Sequence, residues 1–312
     1  MIISASRRTD IPTYYSEWFY NRIKEKYVLV RNPMNIHQVS KINLSPDVVD
    51  GIVFWTKNPA PMMDRLNELE EYNYYFQFTL NSYGKEVEPN IPFKNDILLS
   101  TFQRLSDKIG VDKVVWRYDP IFLNKNYTID YHIEYFEKLA MRLKDYTCKC
   151  TISFIDLYRN TARNVKGLEL SEMTFSDKRR LAQELSKIAL GYGLKIDTCA
   201  EDIYLEEFNI THARCIDDKR IEKIAGFSLN IEKDKNQRLE CGCVASIDIG
   251  MYNTCRNGCK YCYANYSSNT VNSNFKSHDP NSQLISGQLS DDDVVNDRIV
   301  KPLRDCQMNL FK

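Results

Sequence analysis

The stretch from Val114 to Ile155 reads VVWRYDPIFLNKNYTIDYHIEYFEKLAMRLKDYTCKCTISFI. It opens on a largely apolar run, Val114–Tyr118, interrupted by Arg117, as expected for a strand covered on both faces. Ile129, Ile133, Phe136, Leu139 and Leu143 then keep helical spacing. A second apolar run, Thr151–Ile155, closes the stretch. Strand, helix and strand in that order form a unit whose strands lie parallel, joined by a right-handed crossover.

The alternation extends in both directions. Further strand-like runs are Ile2–Ser6, Ile52–Thr56, Tyr75–Leu80, Leu194–Thr198 and Val244–Ile249. Helical spacing recurs at Leu181, Leu185, Ile188 and Tyr192, closed by Gly193. A further helix is expected over 95–109, stopped by Gly110. Six or seven such units over about 265 residues predict an α/β chain built as a complete or partial (β/α) barrel, with a doubly wound open sheet as the rival. Tyr27–Asn32 and Val39–Leu44 read as strands outside the repeat. The barrel is expected to span 1–265. Beyond it the composition turns to Ser, Asn and Asp, so 266–312 is expected to be an irregular surface segment and tail.

The 312 residues carry 42 Lys+Arg against 42 Asp+Glu, so bulk charge argues neither for nor against a nucleic-acid partner. No apolar run reaches the length of a membrane span. The apolar start, Met1–Ser6, is short, and Arg7 and Arg8 follow it without a cleavage-like site, so a strand is expected there rather than a signal peptide. The chain is therefore read as cytoplasmic. In that reducing compartment its ten cysteines are expected to be metal ligands or free thiols rather than disulfides.

Cys255-Arg-Asn-Gly-Cys259-Lys-Tyr-Cys262 spells C-x3-C-x2-C. Three thiolates in one tight loop suit one face of a [4Fe-4S] cube, and Gly258 lets the loop turn. The loop follows the last strand of the repeat, at the edge where barrel chemistry sits. With three ligands, one iron stays open. A zinc knuckle is the rival, because C-x2-C is also a zinc spacing. Cys241-Gly242-Cys243 lies just upstream, while Cys199 ends a strand and Cys215 follows. These four are expected at the same barrel edge, as ligands of a second iron–sulfur cluster or as small buried hydrophobes.

Polar residues recur where strands should end: Arg7, Arg8, Thr9 and Asp10; Lys57 and Asn58; Thr79 and Asn81; Arg117 and Asp119. Such positions in barrels usually serve the site. Thr9, Asp10, Lys57, Arg117 and Asp119 are candidate catalytic residues. Arg7, Arg8, Asn58, Thr79, Asn81 and Tyr261 are candidate cofactor contacts. Asp10 has a simpler reading as a helix cap.

The cysteine spacing, with Tyr261 before the last cysteine, resembles the cluster motif of the radical S-adenosylmethionine (SAM) superfamily. That resemblance implies SAM on the open iron, Tyr261 against its adenine, and a reductant such as flavodoxin or ferredoxin. Over nearly its whole length the chain resembles an uncharacterised bacterial family, domain of unknown function 1848. The motifs that carry this are Ser4–Pro12, Val53–Pro59, Trp116–Pro120, Cys241-Gly-Cys243 and the cysteine loop. Thr9-Asp10 and Thr56-Lys57-Asn58 resemble, more loosely, turns of spore photoproduct lyase. Radical SAM chains usually carry the cluster loop on the first strand, whereas here it follows the last. A circular permutation is therefore expected, with Val244–Ile249 beside Ile2–Ser6.

The expected function is a radical SAM-type enzyme of unassigned substrate, with nucleic-acid repair or modification as the favoured class. The rivals are a non-enzymatic iron–sulfur redox or DNA-associated scaffold and a zinc-binding nucleic-acid module. The end of the chain, Gln307-Met-Asn-Leu310-Phe311, resembles the peptide by which bacterial repair proteins dock on the sliding clamp.

Overall fold

Strands β1 (Ile2–Ala5), β2 (Tyr27–Asn32), β3 (Asn35–Asn43), β4 (Gly51–Thr56), β5 (Tyr74–Thr79), β6 (Val114–Ile121), β7 (Lys149–Phe154), β8 (Lys195–Thr198), β9 (Thr211–His212), β10 (Ile247–Asp248) and β11 (Val294–Asp297) follow one another along the chain. They come from a computed structural model that describes residues 1–305. Cys306 and the clamp-like peptide lie outside the described residues.

Eight strands form one sheet in the order β10-β1-β4-β5-β6-β7-β8-β9. Every neighbouring pair in it is parallel. From β1 to β9 each new parallel strand is added on the same side. The order therefore has no reversal point, which the doubly wound rival requires. Among the described residues the end strands β9 and β10 pair only with β8 and β1, so the sheet is consistent with a partial barrel.

The expected neighbourhood of Val244–Ile249 and Ile2–Ser6 is present. β10 lies parallel to β1, with Ile3 opposite Ile247 and Ser4 opposite Asp248. Only two residues of the Val244–Ile249 run form this strand, and Val244 instead bridges to Lys233.

Helices Leu99–Ile109, Ile129–Leu143 and Phe175–Gly191 make the crossovers. Local chemistry starts two of them. Thr128 accepts the Tyr131 N–H at 3.2 Å, and Thr174 with Asp177 forms a capping box. Alternate strand residues point to opposite faces. Ile3, Phe54, Phe76 and Trp116 pack against the helices with Phe102, Phe136 and Leu185. Ile2, Val53, Tyr75 and Val115 face the other way and pack against Cys215, Ile216, Cys243 and Val244. The concave face is thus filled by loop segments that carry cysteines.

The strands expected outside the repeat pair as an antiparallel hairpin, β2 with β3, and β11 adds parallel to β3. The segment after residue 265 differs from expectation. It holds a helix, Ser268–Lys276, and buries Leu284 and Ile285. Its order comes from distant donors. Trp18 Nε1 reaches the Ser282 carbonyl at 2.9 Å, and Asn21 reaches that of Pro280 at 3.0 Å. Arg31 grips Asp293 with two bonds of 2.6 and 2.7 Å. Local composition carries no trace of partners so far upstream.

Candidate functional site

All eight strands of the large sheet run the same way, so their C-terminal ends share one edge. The cysteine loop leaves β10 at that edge. Its anchor is Asp248, whose carboxylate accepts from the Ser4 hydroxyl at 2.9 Å and the Ser6 hydroxyl at 2.6 Å. It also takes the backbone N–H groups of Arg7 at 2.8 Å and Gly250 at 3.0 Å. Gly258 turns the loop with φ +70°.

Cys255, Cys259 and Cys262 lie close enough for each of Cys259 and Cys262 to act electrostatically on Cys255. Burial raises all three thiols, Cys259 to about 12. Neutral thiols are therefore the state without a cation, and a cluster's irons would reverse that preference. Among the described residues no group of three or more His, Cys, Asp or Glu is already arranged to hold a metal ion.

Asp10 joins three elements. Its carboxylate takes the N–H of Thr13 at 3.1 Å as a helix cap, the N–H of Lys57 at 2.8 Å and the side-chain amide of Asn257 at 3.0 Å. Burial nevertheless raises its pKa. The simpler reading as a cap holds, and the residue also ties β1, β4 and the cysteine loop together. Thr9 beside it has a buried hydroxyl with no hydrogen-bond partner among the described residues. Asn58 is used locally, its side-chain oxygen accepting from the Ala60 N–H at 3.3 Å.

Lys57 points beneath the loop. Its Nζ donates to Glu88 at 2.8 Å and lies 5.3 Å from the Tyr261 ring centroid. Lys94 meets the same carboxylate at 2.5 Å, and the Tyr261 hydroxyl donates to it as well. Burial would raise the Glu88 pKa, but the two ammonium groups outweigh it and hold the group near about 2. Tyr261 also receives a bond of 3.2 Å from Asn81, whose amide reaches the Asp119 carbonyl at 2.9 Å. Its hydroxyl is thus committed inside the protein.

Arg117 donates through Nε to Asp119 at 2.9 Å and through Nη1 to the Cys215 sulfur at 2.9 Å. Thr79 lies opposite Arg117 in the ladder. Arg7 reaches Ser246 at 3.4 Å. The guanidinium groups of Arg7 and Arg117 lie 5.9 and 5.1 Å from the Trp55 ring. Arg8 sits 5.2 Å from the Tyr252 ring. A polar chain therefore runs from Cys215 through Arg117, Asp119, Asn81 and Tyr261 to Glu88 and Lys57, under the cysteine loop.

Cys215 differs from expectation, because it lies inside the concave face rather than at the rim. Its carbonyl accepts from the Tyr75 hydroxyl at 2.6 Å and from Gln77 at 2.8 Å. Its sulfur is 3.2 Å from that of Cys199. Cys241 and Cys243 pack in the same cluster. The neighbouring Cys243 draws the Cys241 thiol down to about 7.

Sequence reasoning missed Asp248, Glu88, Lys94, Trp55 and Glu201. Glu201 accepts the Phe154 N–H at 2.8 Å, and burial raises its pKa to about 7. Asp248, Trp55 and Glu201 sit at strand ends, the same signal that singled out Asp119. Glu88 and Lys94 lie in a loop with no pattern to mark them. A cleft of about 420 Å³ opens beside the cysteine loop, with Lys260, Asn124, Tyr127 and Asn164 among its lining.

A family model described as "Domain of unknown function (DUF1848)" matches residues 2–264. No curated protein matches the chain. Among solved structures, the crystal structure of a "putative alpha-L-fucosidase from Bacteroides thetaiotaomicron VPI-5482" matches at 11% identity and a TM-score of 0.26, covering 57% of this chain and 74% of that one. A likeness that slight carries no argument about fold or activity. Among the described residues no helix is long and apolar enough to cross a membrane.

Proposed function

The chain belongs to the DUF1848 family, whose description assigns no activity, and from the site itself we propose an iron–sulfur enzyme of the radical SAM type, circularly permuted. The observation that carries this reading is the loop bearing Cys255, Cys259 and Cys262, which leaves β10 beside β1 at the C-terminal edge of a parallel sheet. A cluster held by three thiolates and carrying SAM on its fourth iron would supply one-electron cleavage of the sulfonium and a 5′-deoxyadenosyl radical able to abstract hydrogen.

The donor types suit such a group: three thiols on one loop, with Lys57 near Cys259 and Cys262 to balance the charge of thiolate and sulfide. The protein's own residues hold and orient. Asp248 fixes the loop to β1, and Asp10 fixes it to β4 through the Lys57 N–H. Glu88 keeps Lys57 charged under the loop, because its carboxylate outweighs the burial that would lower the lysine. The neighbouring cleft, bounded by Lys260, is the place this reading gives to a substrate. A reductant such as flavodoxin or ferredoxin would supply the electron, and nucleic-acid repair or modification stays the favoured reaction class, on the turn resemblances alone.

A second reading, a redox or scaffold module without turnover, is favoured by the filled concave face, where Tyr75 and Gln77 both bind the Cys215 carbonyl. Anaerobic protein given dithionite and SAM separates the two. The enzyme reading expects 5′-deoxyadenosine from the natural chain and none from Cys259→Ala. Protein that holds iron but forms no 5′-deoxyadenosine favours the module.

A further inference from the structure

A second group of cysteines lies inside the barrel, apart from the loop just discussed. Cys199 follows β8, Cys215 follows β9, and Cys241 and Cys243 precede β10. We propose that Cys199, Cys215, Cys241 and Cys243 form a closed, four-thiolate metal site, filled by a single tetrahedral soft metal ion or by a small iron–sulfur cluster.

Four observations meet here. First, the four cysteines are gathered in one place. The sulfurs of Cys199 and Cys215 lie 3.2 Å apart, and Cys241 and Cys243 pack with them in the same hydrophobic cluster. Zinc–sulfur bonds of about 2.3 Å put adjacent sulfurs of a tetrahedral site roughly 3.8 Å apart, a spacing near that of the Cys199–Cys215 pair.

Second, the sulfurs receive donors of the kind that support metal thiolates. Arg117 Nη1 lies 2.9 Å from Cys215, and the Ile216 N–H lies 3.3 Å from Cys243.

Third, charge is provided for. Four thiolates around a divalent ion leave a net anion, and both Arg117 and Arg7 feel the charge of these cysteines.

Fourth, the backbone is shaped to bring the pair in. A Cβ on Gly242 would come within 2.9 Å of the Ala213 carbonyl oxygen, so only glycine lets Cys241-Gly-Cys243 approach the segment that leads from β9 to Cys215 so closely.

All four ligands come from the chain, so the site has no open position. Its work is to hold the loops that fill the concave face, or to relay electrons along the Arg117–Asp119–Asn81–Tyr261 row. The proposal is independent of the reading of the Cys255–Cys262 loop, and the experiment keeps the two apart.

Cys255, Cys259 and Cys262 are all changed to Ser, and this full-length variant is purified without oxygen. Metal and acid-labile sulfide are then measured. The proposal expects about one zinc, or iron with matching sulfide, per chain. Sulfide distinguishes the cluster from the single ion. Adding Cys215→Ser and Cys243→Ser should remove that metal while circular dichroism still reports a folded chain.

Should those variants fail to fold, cobalt added to the metal-stripped triple variant decides. A sulfur-to-cobalt charge-transfer absorption is expected, and it should fall with Cys243→Ser. The proposal is overturned if the triple variant binds neither metal nor cobalt, if the added serines change nothing, or if anaerobic protein carries a Cys199–Cys215 disulfide.

Discussion

The Ser6 hydroxyl donates to the Asp248 carboxylate at 2.6 Å across 242 residues of sequence. This bond ties the end of β1 to β10 and makes the cysteine loop an extension of the sheet edge. Ser4, the Arg7 N–H and the Gly250 N–H converge on the same carboxylate. The placement of Cys255, Cys259 and Cys262 rests on it.

Asp248→Ala should therefore act on stability and on metal together. Hydrogen bonds to charged groups are worth about 1.5–3 kcal/mol each, and their shared loss should cost about 3 kcal/mol net. Urea unfolding of the anaerobic protein measures this. Iron content should fall in the same variant, because β10 has only two paired residues to hold it without Asp248. Unchanged iron would show that the loop is positioned by something else.

Glu88 lies buried between Lys57 and Lys94. Removing one member of a buried ionic group leaves the others uncompensated, at a cost of about 3–5 kcal/mol. Glu88→Ala should show a loss of that order in chemical unfolding. Adding Lys57→Met should recover part of it, since one stranded cation is then gone. Additive losses in the double variant would mean that the two side chains are not coupled.

His132 gives the stability a pH dependence with a definite sign. It is fully buried, bonded to the Tyr118 hydroxyl at 2.8 Å and the Phe122 carbonyl at 2.9 Å, and burial lowers its pKa to about 4. The unfolded chain takes up the proton first, below its ordinary value near 6.5. The stabilisation from neutral His132 is complete above that value and is lost as pH falls from about 6.5 to about 4, by at most about 3 kcal/mol. His132→Gln should be less stable at neutral pH and should flatten this part of the profile. An identical slope in the variant would assign the loss to other groups.

Gly242→Ala is expected to cost about 1–3 kcal/mol, because the added methyl meets the Ala213 carbonyl oxygen and the backbone must shift. Thermal unfolding would register it. A neutral substitution would mean that the Cys241–Cys243 turn has room to spare.

Much of this architecture was legible in the sequence, for physical reasons that can be named. Val114–Tyr118 is apolar at every position but Arg117, and Thr151–Ile155 joins apolar residues to the small hydroxyl side chains of Thr151 and Ser153, because both sheet faces are covered, and such runs mark themselves. Val244–Ile249 was placed beside Ile2–Ser6 from the cysteine motif and a resemblance, and that pairing is present, although shorter. What stayed hidden depends on long-range contact. Glu88 carries no motif, and its partner Lys57 lies 31 residues away. The burial of Cys215 inside the sheet follows from Tyr75 and Gln77 reaching its carbonyl, which no local pattern announces. The segment after residue 265 looked irregular because its order is imposed by Trp18, Asn21 and Arg31.

The central claim is that Cys255, Cys259 and Cys262 together bind iron. Iron and sulfide counted in anaerobically reconstituted protein, for the natural chain and for the triple serine variant, test it most directly. The account predicts about four more irons per chain in the natural protein than in the variant, with matching sulfide. Equal iron in the two, or none in either, would contradict it.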